Sequence, residues 1–454
     1  MAEELGVHPA GGRGAIDPAE GRGVLQPVGS LRLRTWVPVV LWGLLLVLQI
    51  VEPWDVYLYL LLGLGGLLGA SYSWARQMQR GVSLRREMPT GWLFVGDVLE
   101  ETFHLTNRSW LPVLWAEVVD HSDVPGHSAR VVQAADGHGV KKWKIRGTCT
   151  RRGAFRLGPW EVRLGDPFGL FEVMLYYPEE APLMVYPPVV RLPPLTLPRG
   201  QAAGHSGLAR GGIEASTDAA SVRDYLPGDS LRRIHWRSVA RLGRWMVKEY
   251  DVEPSGDLWI VLDLESGVQA GEGEESTLEY GVVLAASLLA LTLADRRAAG
   301  LVAFGREAEF LMPSLAPEQL TQALRILARA GPGSVPLRRV LQKMQPNIRR
   351  GTAVALITPS ASSDWLGEVA RLRQREVAAT AILLDAASFR EPRSDGEPEG
   401  FLGLRQALAM LGVPSFVVSR GYPFVPWLRR KRRRTVYRAL ATGRVIPVDV
   451  VEEV

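Results

Sequence analysis

Residues 221–253 read SVRDYLPGDSLRRIHWRSVARLGRWMVKEYDVE. Arg223, Asp224, Asp229, Arg232, Arg233, Arg237, Arg241, Arg244, Lys248, Glu249, Asp251 and Glu253 are interleaved with Tyr225, Trp236, Trp245 and Tyr250. Pro227-Gly228 supplies a tight turn, because proline presets φ and glycine accepts positive φ. A solvated charged face does not need so many rings. The mixture predicts arginines stacked on aromatic faces and paired with carboxylates, a geometry that lysine reproduces poorly.

Downstream of this stretch the pattern alternates between strand and helix. DLWIVLDL, residues 257–264, is a buried strand, and residues 277–298 form a helix apolar on one side. Short strands at 300–304 and 309–312 are followed by helices at 317–330 and 336–344. A strand at 352–358, a helix at 363–374 and a strand at 378–384 come next, and residues 402–411 and 414–418 close the series. Such alternation argues for a mainly parallel, doubly wound sheet wrapped by helices over 257–420. Ligands on such sheets sit at the carboxyl ends of the strands.

Upstream, residues 82–192 hold short runs rich in Val, Leu and aromatics, separated by Gly, Pro, Asn and Asp. This predicts an all-β sandwich of immunoglobulin-like type. Residues 193–220 are small and turn-rich and read as a linker between the sandwich and the segment 221–256. Before the sandwich, two apolar runs, 36–51 and 56–72, flank Glu52-Pro53-Trp54-Asp55 and predict a transmembrane hairpin over 31–75. Gly65 and Gly69 have the small-xxx-small spacing that lets helices approach closely. Arg32 and Arg34 precede the first run, and Arg76, Arg80, Arg85 and Arg86 follow the second. The positive-inside rule then puts both ends of the chain in the cytoplasm, with two spans in the cell membrane. Residues 1–30 read as a disordered tail.

The signature resembles the bacterial family known as domain of unknown function 58. The matching positions are Arg223, Tyr225, Pro227-Gly228-Asp229, Arg233-Ile234-His235-Trp236, Ala240-Arg241 and Lys248-Glu249. A second family-like block, Asp166-Pro167-Phe168-Gly169-Leu170-Phe171, lies upstream, and the similarity extends over residues 36–420. The resemblance implies a von Willebrand factor A-type domain for the α/β half. It also implies an operon partnership with MoxR-type AAA+ ATPases and, in some cases, transglutaminase-like membrane proteins. The α/β domain would then be an adaptor or substrate in complex assembly or envelope maintenance. Within the signature two readings stand: a charged clamp between the two halves, or a surface presenting Arg232, Arg237 and Arg241 to a partner. The 166–171 block is either a corner of the sandwich or a docking element for the later domain.

An A-type domain of this resemblance often holds Mg²⁺ through Asp-x-Ser-x-Ser, a threonine and a further aspartate, all hard oxygen ligands. Here the first loop is Asp263-Leu264-Glu265-Ser266-Gly267, with Ser334 as a stand-in for the threonine. Pro359 occupies the place of the second aspartate, and Asp364 follows further on. The pattern is degraded, so no cofactor is expected; a metal-dependent hydrolase using Asp263 and Glu265 is the alternative to an adaptor. No P-loop, His-Glu-x-x-His or Gly-x-Ser-x-Gly is present, which leaves no sequence-evident catalytic residues. His121, His127, His138 and His205 read as incidental loop histidines. The single cysteine, Cys149, excludes an intrachain disulfide and reads as a small buried residue. The run Arg429–Arg434 reads as a basic tail over 421–454, either solvated or drawn to acidic lipid. It has no stacking motif beside it, so nucleic acid is not an expected partner.

Overall fold

The computed structural model describes residues 27–88, 91–127, 130–192, 215–225, 234–252, 256–390, 401–426, 431–439 and 445–453. The chain divides into two compact units that meet in sequence between Pro187 and Pro188.

The first unit holds β1 (Val28–Leu33), α1 (Val37–Val51), α2 (Asp55–Gly81), β2 (Val82–Glu87), β3 (Trp92–Phe94), β4 (Val98–Asn107) and β5 (Val113–Asp120). These are followed by β6 (Arg130–Ala135), β7 (Val140–Thr148), β8 (Gly153–Leu157), β9 (Trp160–Gly165), β10 (Phe171–Tyr177) and β11 (Ala181–Tyr186). Three sheets, β1-β10-β9-β5-β6, β2-β4-β7 and β3-β11-β8, make up a β-sandwich region. Period-2 alternation decides which side faces in. In β4 the buried positions are Leu99, Glu101, Phe103, Leu105 and Asn107. The main core gathers Leu84, Phe103, Leu105, Val118, Val162, Leu164, Val173 and Leu175. Cys149 lies in a second core with Leu93, Leu99, Leu157, Leu183 and Val185, as a small buried residue.

Residues 28–30 depart from the expected tail, and 31–33 from the expected hairpin: together they form β1. They pair antiparallel with β10, from Val28 opposite Tyr176 to Leu33 opposite Phe171, and fill the open edge of that sheet. The helices differ from their expected bounds as well. At 15 residues α1 spans about 22 Å, less than the ~30 Å hydrocarbon core. At 27 residues α2 runs on past Tyr72, and its Ser71, Ala75 and Met78 are buried, the last two in the sandwich core. The helix–helix approach uses Gly65 alone. Trp42 Nε1 donates to the Leu61 carbonyl at 3.1 Å, and a Cβ at Gly65 would lie 2.9 Å from that nitrogen. A Cβ at Gly69 would meet nothing within 4 Å.

The second unit contains β12 (Val190–Arg191), β13 (Ala215–Asp224), α3 (Trp236–Leu242), β14 (Met246–Val252), β15 (Leu258–Leu262), β16 (Gly271–Glu272), β17 (Glu275–Ser276), α4 (Thr277–Ala294), β18 (Ala299–Phe304) and β19 (Ala308–Ser314). It continues with α5 (Gln319–Arg329), α6 (Leu337–Met344), β20 (Ala353–Thr358), α7 (Leu366–Gln374), β21 (Ala378–Leu384), α8 (Ala386–Arg390), α9 (Leu402–Met410), β22 (Ser415–Val418), β23 (Val425–Pro426), β24 (Lys431–Ala439) and β25 (Val445–Glu453). The alternation of strand and helix expected over 257–420 is present. The six-stranded sheet has the order β19-β18-β15-β20-β21-β22 and is parallel except at β19. Its core includes Trp259, Val261, Val354, Leu356 and Leu383 of the strands with Leu341, Trp365, Leu372 and Leu408 of the helices. Ser276 caps α4 by accepting from the Glu279 amide at 3.3 Å. Two helices, α2 and α4, are long and apolar enough to cross a membrane. In α4, 72% of the most apolar window is buried, which makes it a core helix of the α/β unit; in α2 the share is 6%.

Two further expectations change. Part of the supposed linker, 215–220, lies in β13, which pairs with β14. The basic run does not continue as a tail: 431–439 and 445–453 pair antiparallel, with Lys431 opposite Glu453 and Arg432 opposite Glu452. Alternating Val, Ile and Tyr across the two segments favour that hairpin.

Candidate functional site

The strand order of the α/β sheet reverses between β15 and β20, so their carboxyl ends form the switch point where such sheets bind ligands. Asp263 follows β15, and its amide donates to the Ile357 carbonyl at 2.9 Å. Thr358 ends β20 and donates its hydroxyl to Asp263 Oδ2 at 2.6 Å, while Asp263 Oδ1 accepts from the Glu265 amide at 3.1 Å. Glu265 bridges to Gly333, whose amide donates to the Leu264 carbonyl at 2.7 Å and whose carbonyl accepts from Ser266 at 2.8 Å. Ser334 is exposed and follows Gly333 in the chain.

Asp263 is buried, and burial pushes its carboxyl from 3.8 up to about 6. The hydrogen bonds from Thr358 and Glu265 hold it down, and the negative charges of Glu265 and Asp364 push it further up. Both Asp263 oxygens are engaged by donors of the chain itself. Among the described residues, the trio of His, Cys, Asp or Glu ligand atoms within 4.8 Å of one another is Glu101, Asp120 and His127, and Asp263, Glu265 and Asp364 make no such trio. The strand-end residues form a hydrogen-bonded acid.

The platform under this acid depends on glycine. A Cβ at Gly333 would collide with the Gly305 carbonyl, and one at Gly305 would collide with the Gly331 carbonyl. Gly333→Ala is expected to push these loops apart and destabilise the α/β unit by about 1–3 kcal/mol, as overpacking does. Differential scanning fluorimetry of the detergent-solubilised chain checks this, and an unchanged midpoint would contradict the loop packing.

A second constellation lies inside the sandwich. Arg86 of β2 donates through Nε to Glu101 Oε1 at 3.0 Å and through Nη2 to Asp120 Oδ2 at 3.1 Å. A further Nη2 contact joins Arg86 to Glu101. His127 Nε2 lies 3.0 Å from Glu101 Oε2, and Ser122 Oγ donates to Asp120 Oδ2 at 2.7 Å. The guanidinium also lies 5.5 Å from the centroids of both Phe103 and Trp160. Gly147 leaves room for the imidazole, since a Cβ there would sit 2.7 Å from His127 Nδ1. Glu101, Asp120 and His127 would suit a divalent ion by residue type, yet Arg86 bridges the two carboxylates, so the set fits a guanidinium. His127 is thus not an incidental loop residue. It closes a buried network that reading along the chain missed, although in-facing parity with Leu99 and Phe103 marks Glu101.

The signature is only partly within the described residues; Pro227, Gly228, Asp229, Arg232 and Arg233 lie outside them. Arg223 stands on β13 opposite Val247, and Lys248 and Glu249 on β14 stand opposite Val222 and Ser221. Trp236, Arg237 and Arg241 are exposed on α3. The rings meet one another rather than the arginines: Tyr225 and Trp236 lie 6.2 and 6.0 Å from Trp245. Arg244 pairs with Asp224 at 3.1 Å. Among the described residues arginine–ring stacking occurs at Arg86, where burial strengthens it.

The second block forms the β9–β10 turn. Asp166 is buried and accepts from the Phe168 amide at 2.9 Å and the Phe171 amide at 2.6 Å. Gly169 has φ +69, and its amide donates to the Asp166 carbonyl at 3.1 Å. Phe171 packs on the sandwich core and meets Tyr72 of α2 edge-on at 5.7 Å, while Phe168 is exposed. Pro167 is exposed at the tip of the turn.

Comparison with known proteins bears on this arrangement. The uncharacterized protein YeaD of Bacillus subtilis (strain 168) is 28% identical over 299 residues, covering 63% of this chain and 72% of YeaD. Among solved structures, the CARDB domain of the PF1109 protein from Pyrococcus furiosus, in complex with di-metal ions, is 13% identical with a TM-score of 0.17. It covers 23% of this chain and 94% of its own. The sporulation control protein Spo0M of Bacillus subtilis is 11% identical with a TM-score of 0.17, covering 23% of this chain and 49% of its own. At these scores the structural likenesses carry no argument. Residues 221–392, which span the signature and most of the α/β unit, match the family described as protein of unknown function DUF58.

Proposed function

We propose that this chain is a membrane-anchored interaction protein. The α1–α2 hairpin holds it in the bilayer, and the α/β unit offers the carboxyl ends of its strands to a protein partner. The observation that carries the reading is the Asp263–Thr358 pair: a buried acid at the sheet's switch point, pushed up to about 6 and surrounded by further acidic charge. A buried acid at a sheet's switch point, with further acids around it, makes the strand ends a candidate functional site. The sheet order and the acid's position support the von Willebrand A-type reading of this unit. The resemblance makes a MoxR-type AAA+ ATPase the partner, and the basic flanks of the hairpin put both units in the cytoplasm. The strand-end donors give the metal-dependent hydrolase reading no support.

The full chain, immobilised in detergent, is offered a MoxR-type ATPase, with ATP, with ADP and without nucleotide. Retention in at least one state is expected, weakened about tenfold, ~1.4 kcal/mol, by Asp263→Asn, which removes the negative charge held beneath the strand ends. No retention in any state would sink the partnership, and equal retention by the variant would move the docking site away from Asp263.

A further inference from the structure

We propose that the Asp166–Phe171 turn is a second membrane contact, laying the Phe168 ring into the lipid surface beside the α1–α2 hairpin. This rests on the reading of that hairpin as the anchor. The turn and the hairpin belong to one unit and are joined directly. The Arg34 amide donates to the Leu170 carbonyl at 2.8 Å, and Phe171 meets Tyr72 at 5.7 Å. Trp36, 69% exposed, begins α1 two residues after Arg34, and Tyr72, 49% exposed, stands where α2 passes from its exposed apolar run into the sandwich. Those two rings mark the level at which lipid-facing surface gives way to folded sandwich. Aromatic side chains at such a level occupy the headgroup region. The turn lies at the same level through its contacts with Arg34 and Tyr72.

The turn is built to hold its tip rigidly. Asp166 takes two backbone amides, Gly169 adopts the left-handed conformation, and Phe171 is pinned in the core. What this rigid frame presents is Phe168, 58% exposed. Exposed Arg32, opposite Glu172, and Arg34, tied to Leu170, lie at the start of β10 and suit the phosphates of a phospholipid surface. An apolar ring on a fixed turn, continuous with an apolar hairpin and bordered by arginines, matches the boundary between headgroups and acyl chains.

The test uses the full chain in phospholipid vesicles. Cys149 is 1% exposed and its thiol is pushed up to about 11, so a cysteine introduced by Phe168→Cys is the one that takes an environment-sensitive dye. Leu60→Cys reports on the anchor. Pro178→Cys follows the seven-residue β10 and lies about 20 Å beyond the turn. With lipids spin-labelled near the headgroup, the dye at 168 is expected to shift to the blue and lose emission about twofold or more, as at an interfacial ring. The dye at 178 is expected to do neither. An unquenched dye at 168 with a quenched dye at 60 would overturn the proposal and leave the anchor standing. An unquenched dye at both would overturn the anchor and the proposal together. A blue shift at 168 without quenching would mean a protein surface covers the ring, and would also overturn it.

Discussion

Arg86→Met is expected to loosen the sandwich unit by about 3–5 kcal/mol, the range for removing one partner from a buried ionic network. Arg86 bridges Glu101 and Asp120, and the side chains of all three are almost fully out of water, at 4, 0 and 1% exposure. Without the guanidinium two carboxylates remain side by side in an apolar core, with Ser122 and His127 as their neighbours. The Phe103 and Trp160 rings lose the cation that sits over them. Hydrogen exchange in β4 and β5 of the detergent-solubilised chain reads the effect strand by strand, which avoids treating two units as one transition. The triple variant Arg86→Met, Glu101→Gln, Asp120→Asn is expected to recover much of the loss, because the penalty lies in unpaired charge and not in the missing pair. Unchanged exchange in Arg86→Met would show that water reaches the network.

Asp263→Asn is expected to stabilise the α/β unit above pH 6 and to leave it unchanged near pH 4. The folded-state value, raised from 3.8 to about 6, means that the native state holds this proton more tightly than the unfolded chain does. Below 3.8 both states carry the proton, and the acid adds no pH-dependent penalty. Between the two values the native state is favoured by its proton, and this advantage fades as pH rises. Above 6 the buried anion is carried at full cost. A shift of about 2 units corresponds to at most about 3 kcal/mol. Asparagine removes the charge and nearly keeps the shape: its carbonyl oxygen accepts from the Glu265 amide, and its NH2 then donates to the Thr358 hydroxyl, reversing that bond. Melting curves of the parent and the variant at pH 4.5 and pH 8 measure the difference, and equal gains at both would mean that the effect is not titration of this group.

Glu101 shows where reading along the chain stops short. Parity within β4 places it with Leu99, Phe103 and Leu105 on the inner face, so its burial is legible. Its partners are not, because Arg86 lies on another strand and Asp120 and His127 come from the end of β5 and the loop after it. Asp263, Glu265 and Ser334 were grouped only through the resemblance to an A-type domain. Thr358 as the hydroxyl that holds Asp263 was not legible, since a parallel neighbour 95 residues away is chosen by sheet order. The strand at 28–33 was hidden for a related reason: a short run gains its pairing from the free edge of β10, which no local pattern announces.

Local pattern alone therefore determined the sandwich, the α/β alternation and the apolar hairpin, because period 2, period 3.6 and unbroken hydrophobicity are properties of neighbouring residues. Tertiary structure decided which apolar helix is a core element and which is exposed. It also turned the 166–171 block toward the hairpin and chose which charges meet inside. Those outcomes depend on burial and on partners distant in the chain, and a buried charge is settled only by what stands within a few ångströms of it.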